Sequence, residues 1–190
     1  LYFNKENEPV LTFGKPDWFD NVAREVTYAH SSAAIFDMSC FGKIDVIGVD
    51  AECFLLKICA GYMQRPAGSV IYSAVLNNRG TYETDITAQR ITDNHYRLFV
   101  GTTAIKRDLA WFRRMTSGFN IRIEDVTLKY GMLSLMGPNA GDIIAKCGAS
   151  ELNSLGYFKT CEAKLAGKPI RAARMSYVGE AGWEITCGAE

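Results

Sequence analysis

The chain has 190 residues, and its 48% hydrophobic and 12% aromatic content is enough for one substantial domain or two small interleaved ones. Its 21 Lys and Arg residues balance its 21 Asp and Glu residues. A net charge of zero gives no overall field that favours nucleic acid or an anionic membrane, and no run approaches the roughly 20 apolar residues of a membrane-spanning helix. We therefore predict a soluble globular protein that binds neither nucleic acid nor membranes.

The cysteine and histidine pattern gives no sign of a metal site. The six cysteines contain no C-x-x-C pair, and the two histidines, His30 and His95, flank no metal-ligand spacing. A disulfide scaffold is unusual in a chain of this size with so much apolar sequence. We therefore expect reduced, partly buried thiols and no bound metal.

The first predicted element is a helix that follows a polar connector. Residues 1–14, rich in Asn, Glu and Lys, are typical of a connector that leads from a preceding domain. Pro16 and Asp17 then give a helix start signal, and apolar residues recur every three or four positions as far as His30. This pattern predicts a helix over 17–30.

Strand patterns and short helices follow in alternation. Residues after Phe41 alternate as in a strand with one wet face, and Asp50 is predicted to cap a short helix that ends near Cys59. The segment SVIYSAVLNNRGTYETDITAQRI has two β-rich arms around residues 77–80 and predicts a hairpin. Later patterns predict a strand over 96–100, a helix over 103–115, two short strands around Lys129, a helix over 138–147 and two final strands joined by a turn at 166–168. Strand pairs between helices, without repeated βαβ crossovers, predict an α+β fold with antiparallel sheets.

Asp85 is a candidate functional residue in the hairpin. It stands between Thr84 and Ile86 in a strand pattern, where a carboxylate is disfavoured unless it faces water or a partner. Solvent exposure is the simpler explanation. The alternative is a partly desolvated carboxylate directed at an amine, whose proton it accepts or whose charge it stabilises. Tyr72, on the opposite arm, is expected to lie close to Asp85, although a strand tyrosine most often serves packing.

Glu180 is a second candidate because it lies between glycines, in the string Gly179-Glu180-Ala181-Gly182. Glycine permits backbone angles and close ligand approach that other residues obstruct. A simple turn accounts for this pattern. The alternative is a loop carboxylate that accepts a pair of hydrogen bonds from a planar N–H/NH2 edge, such as that of a pterin.

These same segments carry a family resemblance. The strings AAIFDMSCFGKIDVIG, RPAGSVIYSAVLNNRGTYETDITAQRI and AARMSYVGEAGWEI resemble, in order and spacing, the signatures of the glycine-cleavage aminomethyltransferase (T-protein) family. They are most similar to the version fused to sarcosine and dimethylglycine dehydrogenases. The strings KPDWFD and YETD also resemble the pyruvate dehydrogenase phosphatase regulatory subunit, a relative without an established catalytic role.

The resemblance implies a fold, a cofactor and roles for individual residues. Residues 15–190 would form the first part of the aminomethyltransferase folate-binding fold, without its C-terminal barrel domain, and residues 1–14 would follow an upstream flavin domain. The implied cofactors are tetrahydrofolate here and FAD in that upstream domain. The family's central carboxylate, which positions or deprotonates the folate nitrogen that receives the carbon, falls on Asp85. Its pterin-binding glutamate falls on Glu180, and Tyr72 matches a tyrosine that contacts folate.

Two positions depart from the family pattern. Gly80-Thr81 stands where the family commonly has two glycines, a change that bears on the turn and on the aim of Asp85. Gly101 stands where free transferases often have asparagine, which removes a side-chain contact to the pterin but leaves the backbone groups. The fused dehydrogenases tolerate glycine there. Tyr177, beside the predicted pterin-binding turn, has no assigned role.

The implied activity is one-carbon transfer. An upstream flavin domain would oxidise an N-methyl amine to an iminium, and this module would pass the carbon to tetrahydrofolate; the residues of this chain alone are not expected to be active. The alternatives are a noncatalytic regulatory subunit of the pyruvate dehydrogenase phosphatase type and a free glycine-cleavage aminomethyltransferase. The implied partners are folate, the iminium, the flavin domain and the C-terminal domain. The implied location is the mitochondrial matrix in a eukaryote and the cytoplasm in a bacterium.

Overall fold

A computed structural model describes residues 12–189. The predicted connector over 1–14 lies outside the described residues except for 12–14, which are exposed and belong to no helix or strand. The described helices are α1 (Phe19–Ser31), α2 (Ala51–Ile58), α3 (Ile105–Arg114) and α4 (Ala140–Lys146). The strands are β1 (Ala34–Asp37), β2 (Gly42–Ile47), β3 (Val70–Leu76), β4 (Tyr82–Thr92), β5 (His95–Val100), β6 (Arg122–Asp125), β7 (Tyr130–Met136), β8 (Thr160–Leu165), β9 (Lys168–Arg174) and β10 (Gly182–Gly188).

The strands form two five-stranded antiparallel sheets. Sheet I has the order β1-β7-β10-β9-β8, and sheet II has the order β3-β4-β5-β2-β6. All of sheet II lies in the sequence between β1 and β7, which pair with each other in sheet I. Sheet II is therefore an insertion into sheet I. The predicted α+β fold with antiparallel sheets is confirmed.

Each sheet has one apolar face that is covered by helices. In sheet II, Ile44 and Leu98 are fully buried in a core with Phe54 of α2 and Phe112 of α3. In sheet I, a separate core contains buried residues of β7, β9 and β10 together with Ile144 of α4. Because side chains alternate along a strand, the opposite faces of the two sheets carry the remaining residues, many of them polar.

The two polar faces meet each other. The Thr160 hydroxyl donates to the Gln89 side-chain oxygen at 3.2 Å, which joins β8 of sheet I to β4 of sheet II. The Arg97 guanidinium of β5 lies 3.9 Å from the ring centre of Tyr130 of β7. Arg97 also donates two hydrogen bonds to Asp45, at 2.7 and 2.9 Å. These polar contacts hold the two sheets together, and the gap between the sheets also contains apolar residues such as Val70 and Met175.

Most predicted elements have the predicted type, with shifted ends. The hairpin is β3 and β4, and its turn contains Gly80 at φ +73°, a conformation that favours glycine. The predicted cap of α2 is wrong in its chemistry: the Asp50 side chain makes no cap hydrogen bond and instead accepts one from the Asn120 N–H at 2.7 Å. Residues 175–181 form a loop, and the last strand begins only at Gly182. Among residues 12–189, no helix is both long and apolar enough to span a bilayer.

Candidate functional site

A cavity of about 590 Å³ lies between the two sheets. Sheet II contributes Tyr72, Asp85 and Phe99 to its lining, and sheet I contributes Glu184. Tyr177 of the 175–181 loop closes part of the wall. The volume lies in the range of about 300–1,000 Å³ that is common for small-molecule sites. Two carboxylates in one mainly apolar cavity make it the candidate functional site.

Two tyrosine hydroxyls hold the Asp85 carboxylate. The Tyr82 hydroxyl donates to Asp85 Oδ1 at 2.6 Å, and the Tyr72 hydroxyl donates to Oδ2 at 2.7 Å. These hydrogen bonds, from Tyr82 first and Tyr72 second, lower the pKa of Asp85 below its ordinary value. The same contacts raise the pKa of Tyr72 and of Tyr82. Asp85 is therefore an anion at neutral pH, and both phenols are protonated donors.

Glu184 is the second carboxylate of the cavity, and its environment disfavours the charged form. It lies in β10 opposite Ser134 and Ala173 and is only 2% exposed. Desolvation raises the pKa of Glu184 to about 7, and a hydrogen bond with Tyr177 offsets part of this rise. No cationic side chain of the described residues contributes to this balance. Glu184 is therefore a buried carboxylate without a counter-charge, and it holds its proton more tightly than an exposed glutamate does.

Two polar groups, the hydroxyls of Ser134 and Tyr177, lie beside Glu184. The Ser134 hydroxyl is buried and has no hydrogen-bond partner among the residues that the structure describes. Desolvation, with the Glu184 carboxylate second, raises the pKa of Tyr177 to about 12, although Tyr177 as a whole stays 62% exposed. Buried polar groups are normally paired, so the unpaired Ser134 hydroxyl indicates a ligand or ordered water at this place.

The cavity wall also contains a phenylalanine with a strained backbone and a glycine with open space beside it. Phe158 lines the cavity with φ at +57°, a left-handed conformation that is unfavourable for a residue with a bulky side chain. Its carbonyl accepts a hydrogen bond from the Val70 N–H of sheet II, and its N–H donates to the Arg174 carbonyl of sheet I. Phe158 is therefore fixed where the sheets meet. Gly101 lines the cavity as well, and a Cβ atom there would meet nothing within 4 Å.

The structure brings together two of the three residues that the sequence singled out. Tyr72 and Asp85 share the cavity and a hydrogen bond. Glu180 lies on the 175–181 loop, does not line the cavity, and has its Oε1 atom 3.5 Å from Nδ1 of His30. Its assignment as the pterin-binding residue stays a prediction, and the glutamate that lines the cavity is Glu184.

Sequence reasoning missed Glu184 and Tyr82. Glu184 gave a signal like that of Asp85, a carboxylate within a strand pattern, here between Trp183 and Ile185. Comparing the two carboxylates of the GEAGWE string would have found it. No sequence signal indicates that Tyr82 contacts Asp85, because residues three apart in a regular strand point to opposite faces.

A larger cleft of about 780 Å³ lies further along the gap between the sheets. Its two arginines already have carboxylate partners, Asp45 for Arg97 and Glu162 for Arg171. Within the described ranges, no group of three or more His, Cys, Asp or Glu could hold a metal ion. The smaller cavity, whose buried Glu184 carboxylate has no cationic partner among the described residues, is therefore the better candidate.

Comparison with known proteins identifies the family to which this geometry belongs. The family model described as GCVT N-terminal domain matches residues 1–190. The chain belongs to the GCVT N-terminal domain family. Among solved structures, the GCVT chain is similar to the glycine cleavage system aminomethyltransferase T of Bartonella henselae, with a TM-score of 0.79 and 25% identity over 87% of this chain and 45% of that one.

Curated relatives of this GCVT chain have several functions. It is 27% identical to an aminomethyltransferase of Staphylococcus epidermidis, over 95% of this chain and 51% of the relative. It is 29% identical to human mitochondrial sarcosine dehydrogenase, over 92% and 21%. It is 30% identical to the mouse mitochondrial pyruvate dehydrogenase phosphatase regulatory subunit, over 97% and 22%. The chain thus spans about half of the aminomethyltransferase and about a fifth of the two longer relatives.

Proposed function

We propose that this chain is the folate-binding part of a sarcosine or dimethylglycine dehydrogenase-type enzyme, and that it passes a one-carbon unit from an oxidised N-methyl amine to tetrahydrofolate. The observation that carries this proposal is the pair of carboxylates in one cavity, Asp85 ionised and Glu184 buried. The family match supports aminomethyltransferase chemistry. Similarity to a sarcosine dehydrogenase supports the kind of donor.

The cavity fits a folate head group. A pterin is a flat ring whose N–H and NH2 groups form one donor edge, and a carboxylate accepts two such hydrogen bonds side by side. Glu184 is buried and has no cation to satisfy it, and the neighbouring Ser134 hydroxyl has no partner among the described residues. A donor edge placed against Glu184 would supply the missing hydrogen bonds. Phe99 and Phe158 provide apolar wall surface for a ring.

Three residues that line the cavity have separate parts in the proposed transfer. Tetrahydrofolate, when bound, supplies the nitrogen that receives the carbon. Glu184 binds and orients the ring, and Tyr72 donates a hydrogen bond to Asp85 at the same cavity. Asp85 acts on the reacting nitrogen through one of two roles, as a counter-charge to developing positive charge or as the acceptor of its proton. Holding two reactants in alignment is worth about 7–11 kcal/mol, and one group that transfers a proton adds about 10²- to 10⁴-fold.

The proposal extends to parts outside this chain. The iminium would come from an upstream FAD domain joined through residues 1–14, and a C-terminal domain would complete the folate site. The relatives include bacterial and mitochondrial proteins. We propose the mitochondrial matrix for a eukaryotic source and the cytoplasm for a bacterial one.

One alternative has its own supporting observation. The 30% identity to the phosphatase regulatory subunit, over 97% of this chain, favours a noncatalytic protein that keeps the fold. The upstream sequence distinguishes the two, because a flavin-binding fingerprint with an intact histidine for covalent flavin attachment supports the dehydrogenase. Loss of that site supports the regulatory subunit.

A matched pair of variants in the full-length protein tests the proposed folate site. We expect Glu184→Gln to weaken tetrahydrofolate binding by about 10- to 100-fold in calorimetry, since hydrogen bonds to a charged group contribute about 1.5–3 kcal/mol. Glu180→Gln, on the neighbouring loop, is the control for local disturbance. Equal affinity in wild type and Glu184→Gln would reject the ring-binding role. A loss confined to Glu180→Gln would assign that role to Glu180 instead.

A further inference from the structure

An irregularity in the hairpin brings Tyr82 onto the same face as Asp85. Residues three apart in a regular strand point to opposite faces, yet the Tyr82 hydroxyl lies 2.6 Å from Asp85 Oδ1. The pairing explains this, because Val75 pairs with Thr84 and the next residue of β3, Leu76, pairs with Tyr82. One extra residue of β4 is therefore accommodated as a β-bulge, and such bulges re-aim side chains.

The bulge completes a clamp made of two phenols. Each Asp85 oxygen accepts one hydroxyl, Tyr72 from β3 at 2.7 Å and Tyr82 from β4 at 2.6 Å. These lengths are those of charge-assisted O–H···O⁻ hydrogen bonds, which are roughly twice as strong as neutral ones. Among residues 12–189, no Lys, Arg or His forms a salt bridge with Asp85. Two neutral donors therefore hold the anion without cancelling its charge.

The other ionisable groups around the clamp lie on three further elements. Tyr177 of the 175–181 loop and Glu184 of β10 line the same cavity as Asp85. Arg107 of α3 acts on Tyr82, where it opposes the rise in the pKa of that phenol. The phenols lower the pKa of Asp85. A carboxylate with both oxygens already accepting is a poor proton acceptor but keeps its full negative charge.

We propose that Tyr82 is a positioning residue whose hydrogen bond, together with that of Tyr72, keeps Asp85 as a fixed counter-charge for a cationic one-carbon substrate rather than as the general base. This inference rests on the proposed function for the substrate, but the clamp itself does not. Tyr82 reaches Asp85 only through the bulge. Removal of its hydroxyl alone releases Oδ1 and leaves the Tyr72 contact in place.

The first test measures Asp85 directly and needs no folate. In the full-length protein labelled with ¹³C at aspartate carboxyl groups, we expect Tyr82→Phe to raise the pKa of Asp85 by about one unit. Tyr62→Phe is the control, because the Tyr62 hydroxyl donates to Gln64 Oε1 and Tyr62 does not line the cavity. An unchanged Asp85 titration in Tyr82→Phe would overturn the clamp, whether or not the protein binds folate.

The second test separates a counter-charge from a base. A general base becomes more effective as its pKa rises toward the working pH, so a base at Asp85 would make transfer at pH 8 faster in Tyr82→Phe. If Asp85 is a counter-charge, loss of its orientation would make transfer about tenfold slower in Tyr82→Phe. The acid limb of the pH–rate profile would also move to higher pH, by the same shift that the titration of Asp85 shows. A faster rate, or a loss that is equal at every pH, would reject this role. Failure of wild type to bind tetrahydrofolate would reject the proposed function alone.

Discussion

The two carboxylates that line the cavity lie in different sheets, and their environments shift their pKa values in opposite directions. Asp85 of sheet II is partly exposed, and two phenols lower its pKa. Glu184 of sheet I is 2% exposed, and desolvation raises its pKa to about 7. The first group is stabilised as an anion before any ligand arrives. The second is destabilised as an anion and is stabilised only by a partner, so the two suit charge stabilisation and ligand binding respectively.

The largest expected effect tests the charged member of this pair. We expect Asp85→Asn in the full-length protein to lower the rate of one-carbon transfer by about 100-fold or more, while tetrahydrofolate affinity changes less than about threefold. The physical reason is the loss of negative charge at nearly constant shape. Single-turnover kinetics with bound folate measures the effect.

Asp142→Asn is the control for this prediction, because Asp142 is exposed on α4 and does not line the cavity. A folate affinity that falls as much as the rate would mean that Asp85 binds the ligand like Glu184. The functional contrast between the two carboxylates would then disappear.

The next prediction concerns the folding stability that is lost because Glu184 is a buried carboxylate. Its pKa is 4.5 as a reference and about 7 in the folded protein, so the folded state favours the protonated form. The stability that this form contributes is fully present below about pH 4.5 and is lost as the pH rises through about 7. Glutamine stays neutral, so we expect Glu184→Gln to be more stable than wild type by about 3 kcal/mol at pH 8 and nearly equal to it at pH 4.

Urea unfolding at both pH values measures this difference, with exposed Glu151→Gln as the control. The gain in stability should accompany the loss of folate affinity, a common trade-off at binding sites. A stability difference between wild type and variant that does not change with pH would show that Glu184 is not desolvated. The comparison with Asp85 would then rest on geometry alone.

The smallest expected effect concerns Gly101, which lies in the wall of the cavity that the two carboxylates share. Gly101 has φ −59° and ψ 141°, which any residue adopts, and open space where a Cβ would lie. We expect Gly101→Asn to leave the free energy of unfolding within about 0.5 kcal/mol of wild type and to tighten tetrahydrofolate binding by about three- to tenfold through one added hydrogen bond.

Gly188→Asn is the matched control, since a Cβ atom there also meets nothing within 4 Å and the residue lies outside this cavity. Weaker binding in Gly101→Asn would mean that the ligand ring fills the space beside this glycine. The open wall would then be part of the binding surface rather than free volume.

The sequence predicted what depends on local periodicity. Alternating and three-to-four spacings located the helices and the hairpin, and strand pairing across the hairpin placed Tyr72 beside Asp85. Burial of Glu184 depends on the approach of a second sheet, which no local pattern records. The glycines around Glu180 led to the prediction that this loop glutamate is the functional one. The bulge that turns Tyr82 toward Asp85 follows from a register shift that the sequence does not reveal.

The insertion of sheet II into sheet I has a consequence for how the protein folds. Pairs such as Ala34 with Met136 join positions that are separated by the whole of sheet II, whereas sheet II pairs strands from a continuous stretch of sequence. Contacts between distant positions form slowly, because the chain entropy lost on closing the loop precedes any gain. Sheet II can therefore form first and shorten the path by which β1 reaches β7. The cavity, which requires both sheets, is then among the last features of the native state to form.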